Sequence, residues 1–481
     1  MYMTWKRDGL LLESHEEPAR DAGLALSLED TLSGFAPVYR QLRVGDERIE
    51  SAAVDLQAGL DVDMVASELD ADKLDEQAKK LRRWKRLLLG GDIDNDFYGG
   101  SVGNTDDTVG EGIVRAYRLR VNEEIAKVHI LQASKAGNMR SFMRWNKFVY
   151  GKPDERLYRA ALDFVAADAD DLIDEYGIDS VQGKAAENVL NMVGGKRGDR
   201  RQLMPDEDTF KSVSEDHMRV GGYYALLLAG VEIPKDRISQ CTGRPLIEQV
   251  LNNLESDYVI DEVDGSVWSV DHGNQAVNQP HEYSLLNKRF RGLVIGHEIG
   301  SHILEKINGR RGPLRLAETG LDRYELGNEG RAVVREQVVY DTFEQFSKTV
   351  RWRDILRRHM AISYACGVAD DTSRTSAETY KFMNTIDRMY QIRLNPDDIE
   401  SAVEKAEKKT KALILRVLKG TDGSGGAYSK DLIYLQGNVG VWNVAKDSGP
   451  EVISEGDYGK FDITNYRHTR LLEAVGLIAS R

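Results

Sequence analysis

Between Gly292 and Glu305 the chain reads Gly-Leu-Val-Ile-Gly-His-Glu-Ile-Gly-Ser-His-Ile-Leu-Glu, an apolar, helix-like stretch carrying His297, Glu298 and His302. Burying imidazoles and a carboxylate among Ile, Leu and Val is costly unless they are paired or ligate a metal. Whatever this segment folds into must therefore supply partners for three polar groups. The residue types are those of HExxH zinc sites, where two imidazoles bind the ion and the intervening glutamate is the general base. Here the interval is one residue longer. On an α-helix residues i and i+4 lie about 40° apart around the axis, whereas i and i+5 lie about 140° apart. Both histidines reach one ion only if a bulge or local unwinding absorbs the extra residue. Gly300, inside the interval, permits such a distortion. Without it, the two are structural histidines on opposite sides of an ordinary helix.

A zinc site with an open fourth position needs a third protein ligand. Glu329 lies 27 residues after His302, at the start of a second apolar-periodic run, Asn328-Glu-Gly-Arg-Ala-Val-Val-Arg-Glu. A glutamate at a helix start also simply suits the helix dipole. Between them, Asn308-Gly-Arg-Arg-Gly-Pro-Leu reads as a turn presenting cations, and downstream Gly425-Gly-Ala-Tyr428-Ser-Lys430-Asp431-Leu-Ile-Tyr434-Leu sets a lysine and two tyrosines on a glycine-hinged segment.

The 481 residues carry 65 Lys and Arg against 79 Asp and Glu, a net charge of −14, so nucleic acid and anionic lipid are not expected partners. Forty-four glycines and ten prolines favour helices joined by glycine loops. Cys241 and Cys366 form no CxxC pair, which excludes a disulfide framework and a cysteine-rich zinc module. The start, Met-Tyr-Met-Thr-Trp-Lys-Arg-Asp, lacks the apolar core of a signal peptide, and the longest apolar run, Tyr223 to Ala229, is too short to span a bilayer. A soluble, cytoplasmic protein is expected.

Four regions are expected. Residues 1–89 form an accessory helical region, in which Leu74, Ala78, Leu81, Trp84 and Leu88 recur at helical spacing and Lys79, Lys80, Arg82, Arg83, Lys85 and Arg86 form a solvated basic face. Residues 90–112, rich in glycine and aspartate, read as a linker. Asp92, Asp94 and Asp96 imitate a calcium loop, but Phe97 and Gly103 stand where it needs glycine and glutamate. Residues 113–445 are the catalytic domain, helical except for a break at Tyr150-Gly-Lys-Pro153, a polar loop at 194–208 and a β-hairpin at Asp264-Gly265 between Val259-Ile260 and Val267-Trp268. Residues 446–481 form a C-terminal extension.

Together these motifs resemble a family of metallo-carboxypeptidases related to the animal microtubule-associated tyrosine carboxypeptidase. Its bacterial relatives are labelled flavohaemoglobin expression-modulating QEGLA motif proteins. The shared order is His297–His302, Asn308-Gly309-Arg310, Pro313-Leu314-Arg315, Gly320-Leu321 with Tyr324, Glu329-Gly330, and Tyr428-Ser-Lys430-Asp431 with Tyr434-Leu435. Tyr150-Gly-Lys-Pro153 with Leu157 and Ala160 resembles the helical lead-in, so the likeness covers roughly 115–445. Two positions depart from the pattern: Arg331 replaces the leucine of the EGLA-type motif, and Arg311-Gly312 precede Pro313 where glutamine is usual.

The resemblance implies a mainly α (α+β) fold, a gluzincin-like zinc metallopeptidase with a helical bundle and a small antiparallel sheet. It implies zinc held by His297, His302 and Glu329, with Glu298 as general base and proton shuttle. The expected substrate is a peptide or protein C-terminal tail. Removing a terminal residue requires a fixed cation for the free carboxylate. Lys430 is the first candidate, Arg310 the second, with Asn308 beside it; Tyr434 is a candidate oxyanion donor. Two other readings are another HExxxH gluzincin, such as a dipeptidyl peptidase, and a zinc-containing regulatory or binding protein without turnover. Retention of Glu298 favours an enzyme, because a purely structural site needs no base.

Overall fold

The computed structural model describes residues 21–32, 37–42, 46–66, 68–90, 108–220, 222–265 and 267–479. The expected linker lies largely outside the described residues, as do Asp92, Asp94 and Asp96, and its last residues already belong to the helix Thr108–Lys135. The fold is mainly helical with two small sheets. Among the described residues no helix is long and apolar enough to cross a membrane.

In the helix Ala71–Gly90, Leu74, Ala78, Leu81, Trp84 and Leu88 are buried against Thr108–Lys135, while Lys79, Lys80, Arg82, Arg83 and Arg86 are exposed. The basic cluster is thus the solvated face of an amphipathic helix. Among the described residues, buried side chains from Leu24 to Ile478 form one continuous cluster. Asp21 fastens the N-terminal helices to the segment that follows the histidines. Its carboxylate accepts hydrogen bonds from the Tyr117 hydroxyl (2.7 Å) and the backbone N–H groups of Arg315 (2.7 Å) and Leu316 (2.8 Å). The break at 150–153 is a helix boundary: Gly151 takes φ +83° after Met139–Tyr150, and Asp154 caps Glu155–Tyr176 by accepting from the N–H groups of Arg156 and Leu157.

The strands differ from expectation. They are β1 (Arg237–Ser239), β2 (Val259–Val263), β3 (Ser269–Asp271), β4 (Ala276–Pro280) and β5 (Ser284–Leu286). Asp264-Gly265 does not join a hairpin, because β2 and β3 are not neighbours. β4 runs between them, parallel to β2 and antiparallel to β3, so this sheet is mixed. Among the described residues only the separate β1–β5 pair is antiparallel throughout. Burial explains the order: Ala276, Val277, Gln279 and Pro280 of β4 are buried, whereas β2 and β3 are largely half-buried or exposed. The most buried strand takes the centre.

The segment bearing the histidines, Phe290–Ile303, is a π-helix, wound with i→i+5 hydrogen bonds along its whole length. Such winding is normally confined to single turns, so the surroundings must hold it. Tyr223 and Tyr224, on the short helix Tyr223–Leu227, lie against it so closely that a Cβ at Gly300 would collide with the Tyr223 hydroxyl. Gly300 thus serves close approach, and its φ is not in the left-handed region. Extra donors meet the altered carbonyls. The Ser301 hydroxyl donates to Gly296 O, five residues back (3.0 Å), and the Arg335 guanidinium donates to Gly300 O (3.0 Å).

Gly300→Ala should therefore lower stability by about 1–3 kcal/mol through overpacking, read by chemical unfolding. Tyr223→Phe in the same chain, which removes the colliding oxygen, should recover part of the loss. A neutral Gly300→Ala would contradict the close approach.

Candidate metal centre

The π-helical winding places residues five apart on one face, which is what the longer HExxxH interval demands. The His297 and His302 rings stand edge to face with centroids 5.0 Å apart. The helix Glu325–Gln337 packs against this face and brings in Glu329. Glu329 Oε2 lies 3.5 Å from His297 Nε2 and Glu329 Oε1 3.7 Å from His302 Nε2. One ligand atom from each of the three residues lies within 4.8 Å of the others. Zinc–ligand bonds of about 2.0–2.2 Å imply tetrahedral edges of about 3.3–3.6 Å, so the two carboxylate–imidazole separations are near coordination geometry. Glu329 Oε2 is buried and has no hydrogen-bond partner among the described residues. A buried acceptor without a donor, facing two imidazoles, fits a cation better than it fits an apolar core.

The charge balance points the same way. Glu298, Glu329 and Glu336 all crowd His297, and Arg351 is the arginine that answers them. His297 Nδ1 sits 2.7 Å from Glu336 Oε1, and Arg351 grips Glu336 with three contacts of 2.7–3.2 Å. A carboxylate behind a ligating histidine fixes its tautomer and directs the other nitrogen to the ion. Burial acts to lower the His297 pKa, but Glu336, Glu329 and Glu298 outweigh it and push it up to about 10. Burial drives His302 down to about 3. Glu329, despite its burial, is drawn down to about 2 by His302, His297 and Lys430. Burial, reinforced by Glu329 and Glu336, raises Glu298 to about 7.

A second layer holds the two helices together. Asp457 accepts from the Arg335 guanidinium (2.7 Å) and from Arg331, and Arg331 also meets Glu305, all of them buried. Glu305 in turn accepts from the Asn328 side-chain amide (2.7 Å), next to Glu329. Arg331, the departure from the EGLA-type motif, is therefore a structural ion-pair residue. Gly330 allows Glu325–Gln337 to cross Leu432–Ser448, since a Cβ there would collide with the backbone of Gly437.

The crossing brings the Tyr428–Tyr434 segment to the site. Lys430 Nζ lies 3.7 Å from Glu325 Oε1, one turn before Glu329. Tyr434 lies beneath Arg351 and Arg358, whose guanidinium carbons stand 5.6 and 5.3 Å from its ring. The negative charge of Glu329 and then burial raise the Tyr434 hydroxyl pKa, keeping it protonated. The expected cation-bearing turn is instead the last turn of the helix Leu304–Arg311, and its cations are engaged. Arg310 pairs with Glu318 (3.0 Å), Arg311 with Glu255 (2.9 Å) and Arg315 with Glu318 (2.8 Å). Buried Asn308 donates to Asp457 O (3.0 Å).

Glu336, Arg351, Arg335 and Asp457 did not emerge from the sequence. Glu336 alone left a local signal, being two helical turns after Glu329 on the same face. A cavity of about 1100 Å³, lined by Lys147, Arg156 and Gln436 among others, includes none of the ligands; chemistry and not cavity size selects the site. No known protein family, curated protein or solved structure matches the chain in comparison.

Purified protein should hold about one zinc per chain, measured by elemental analysis. His297→Ala and Glu329→Ala should lose it, and full zinc in both would sink the site. Glu336→Gln should retain the ligands but weaken zinc affinity about 10–100-fold, read by competition with a chelator.

Proposed function

We propose that the chain is a zinc-dependent carboxypeptidase that hydrolyses the C-terminal peptide bond of peptides or protein tails, related to the metallo-carboxypeptidase family its motifs resemble. The observation that carries the reading is the convergence of His297, His302 and Glu329 around one point, with Glu298 beside His297 and Glu336 behind it. The finer description of the fold as gluzincin-like rests on the same pairing of HExxxH with a glutamate from a following helix.

His297 and His302 offer their Nε2 atoms and Glu329 a carboxylate oxygen. Zinc bound there supplies a Lewis acid that polarises the scissile carbonyl and lowers the pKa of water. Glu298 Oε1 lies 4.0 Å from His297 Nε2, on the ligand side of the ring. From there its carboxylate takes the proton of the attacking water and returns it to the departing amine. The Tyr434 hydroxyl, with no hydrogen-bond partner among the described residues, is the donor for the developing oxyanion. Glu336 and Arg351 keep the His297 ring oriented through both proton transfers. Lys430 stands on the substrate side near Glu325. Arg310 and Asn308 support the chain that follows the histidines.

Glu298→Gln should keep its zinc and lose turnover by about 100-fold or more. A mixed peptide library incubated with wild type and with Glu298→Gln, read by mass spectrometry, checks this. Loss of single C-terminal residues with wild type alone is the expected result. No change in any peptide, or equal products from both chains, would contradict the proposal.

A further inference from the structure

The walls of the site carry several cations, and most have acids of their own. Arg351 is held by Glu336, Arg416 by Asp431 (2.5 and 2.8 Å), and Lys430 lies near Glu325. Arg358 differs. It shares a face of the helix Val350–Ala365 with Arg351, two turns away, and is partly buried with its guanidinium carbon 5.3 Å from the Tyr434 ring. Among the described residues it has no hydrogen-bond or ion-pair partner. Asp431, an acid on the same side, is engaged bidentately by Arg416. The face of one aromatic ring offsets only part of what a guanidinium loses on burial.

We propose that Arg358, lying over the Tyr434 ring, receives the free α-carboxylate of the substrate, so that the site takes peptides with an unmodified C-terminus. This rests on the carboxypeptidase reading and replaces Lys430 as the main carboxylate anchor. A guanidinium presents a planar fork that matches a carboxylate bidentately, which an ammonium does not. Position also favours it. The scissile carbonyl and the terminal carboxylate are about one residue apart, roughly 3.3–3.6 Å along an extended chain. The anchoring cation must therefore stand beside the metal ligands and not among them. Tyr434 provides that offset, since its ring lies under both Arg358 (5.3 Å) and Arg351 (5.6 Å), and Arg351 holds the Glu336 that backs His297. Arg351 cannot serve, because releasing Glu336 would free the His297 ring.

The test uses the zinc-loaded full chain and N-acetylated dipeptides of varied C-terminal residue, each as free acid and as amide. Binding to Glu298→Gln is measured by calorimetry and hydrolysis with the active chain. In the Glu298→Gln background, free acids should bind at least tenfold more tightly than amides. Arg358→Gln should abolish that preference at unchanged zinc content and melting temperature, while Arg358→Lys keeps part of it. Lys430→Ala should leave most of it in place. In the active chain Arg358→Gln should raise KM for free acids more than it lowers kcat. An intact acid-to-amide ratio in Arg358→Gln, or its loss in Lys430→Ala alone, overturns the proposal. Preference for free acids through Arg358 without hydrolysis by the active chain would instead overturn the carboxypeptidase reading and leave the carboxylate site standing.

Discussion

The π-helical winding of Phe290–Ile303 is the constraint on which the rest of the structure depends. Wound as an α-helix, His297 and His302 would point to different sides, and no single ion could meet both. The wider winding aligns them but disturbs the carbonyls of that segment, and buried carbonyls need donors. Arg335 and Ser301 supply two of them. Arg335 is itself fixed by Asp457 and lies over Tyr223, with its guanidinium carbon 3.8 Å from that ring. The same tyrosine demands glycine at position 300. Histidine spacing, glycine placement and a distant aspartate are thus parts of one arrangement.

Electrostatics distinguishes the inner from the outer layer. The outer layer is charge-paired: Arg331 and Arg335 meet Glu305 and Asp457, and removing either partner would leave a buried charge uncompensated. The inner layer is open. Glu298, Glu329 and Glu336 converge on His297, and Glu329 keeps a buried oxygen without a donor among the described residues. A buried carboxylate oxygen left over beside two imidazoles is what a divalent cation would finish. The paired outer layer would hold the candidate ligands in place ahead of an ion, which would favour affinity by reducing reorganisation on binding.

Much of this was legible in the sequence because it is local. Helical periodicity located the buried face of Ala71–Gly90, and proline with glycine marked the helix boundary at 150–153. The unusual histidine interval announced a distortion, a bulge or local unwinding, and the chain meets it with a whole π-helix. Glu329 could be singled out because a glutamate opening a second apolar run is a recognisable candidate pattern, and the fold sets it within reach of both histidines. What failed was non-local. Asp264-Gly265 has hairpin chemistry, but the strand that pairs with both flanks lies further on, at Ala276–Pro280, and only its burial explains why it takes the centre. Arg310 and Arg311 look like free cations until Glu318 and Glu255 are seen beside them. Asp457, 126 residues after Arg331, carries no mark of its role.

The central claim is that His297, His302 and Glu329 hold zinc through nitrogen and oxygen. X-ray absorption at the zinc edge of the purified full chain tests it most directly. The account predicts a first shell of nitrogen and oxygen at about 2.0–2.1 Å, with the outer-shell scattering of two imidazoles. Sulfur at about 2.3 Å, drawn from Cys241 or Cys366, or a shell without imidazole scattering, would contradict it.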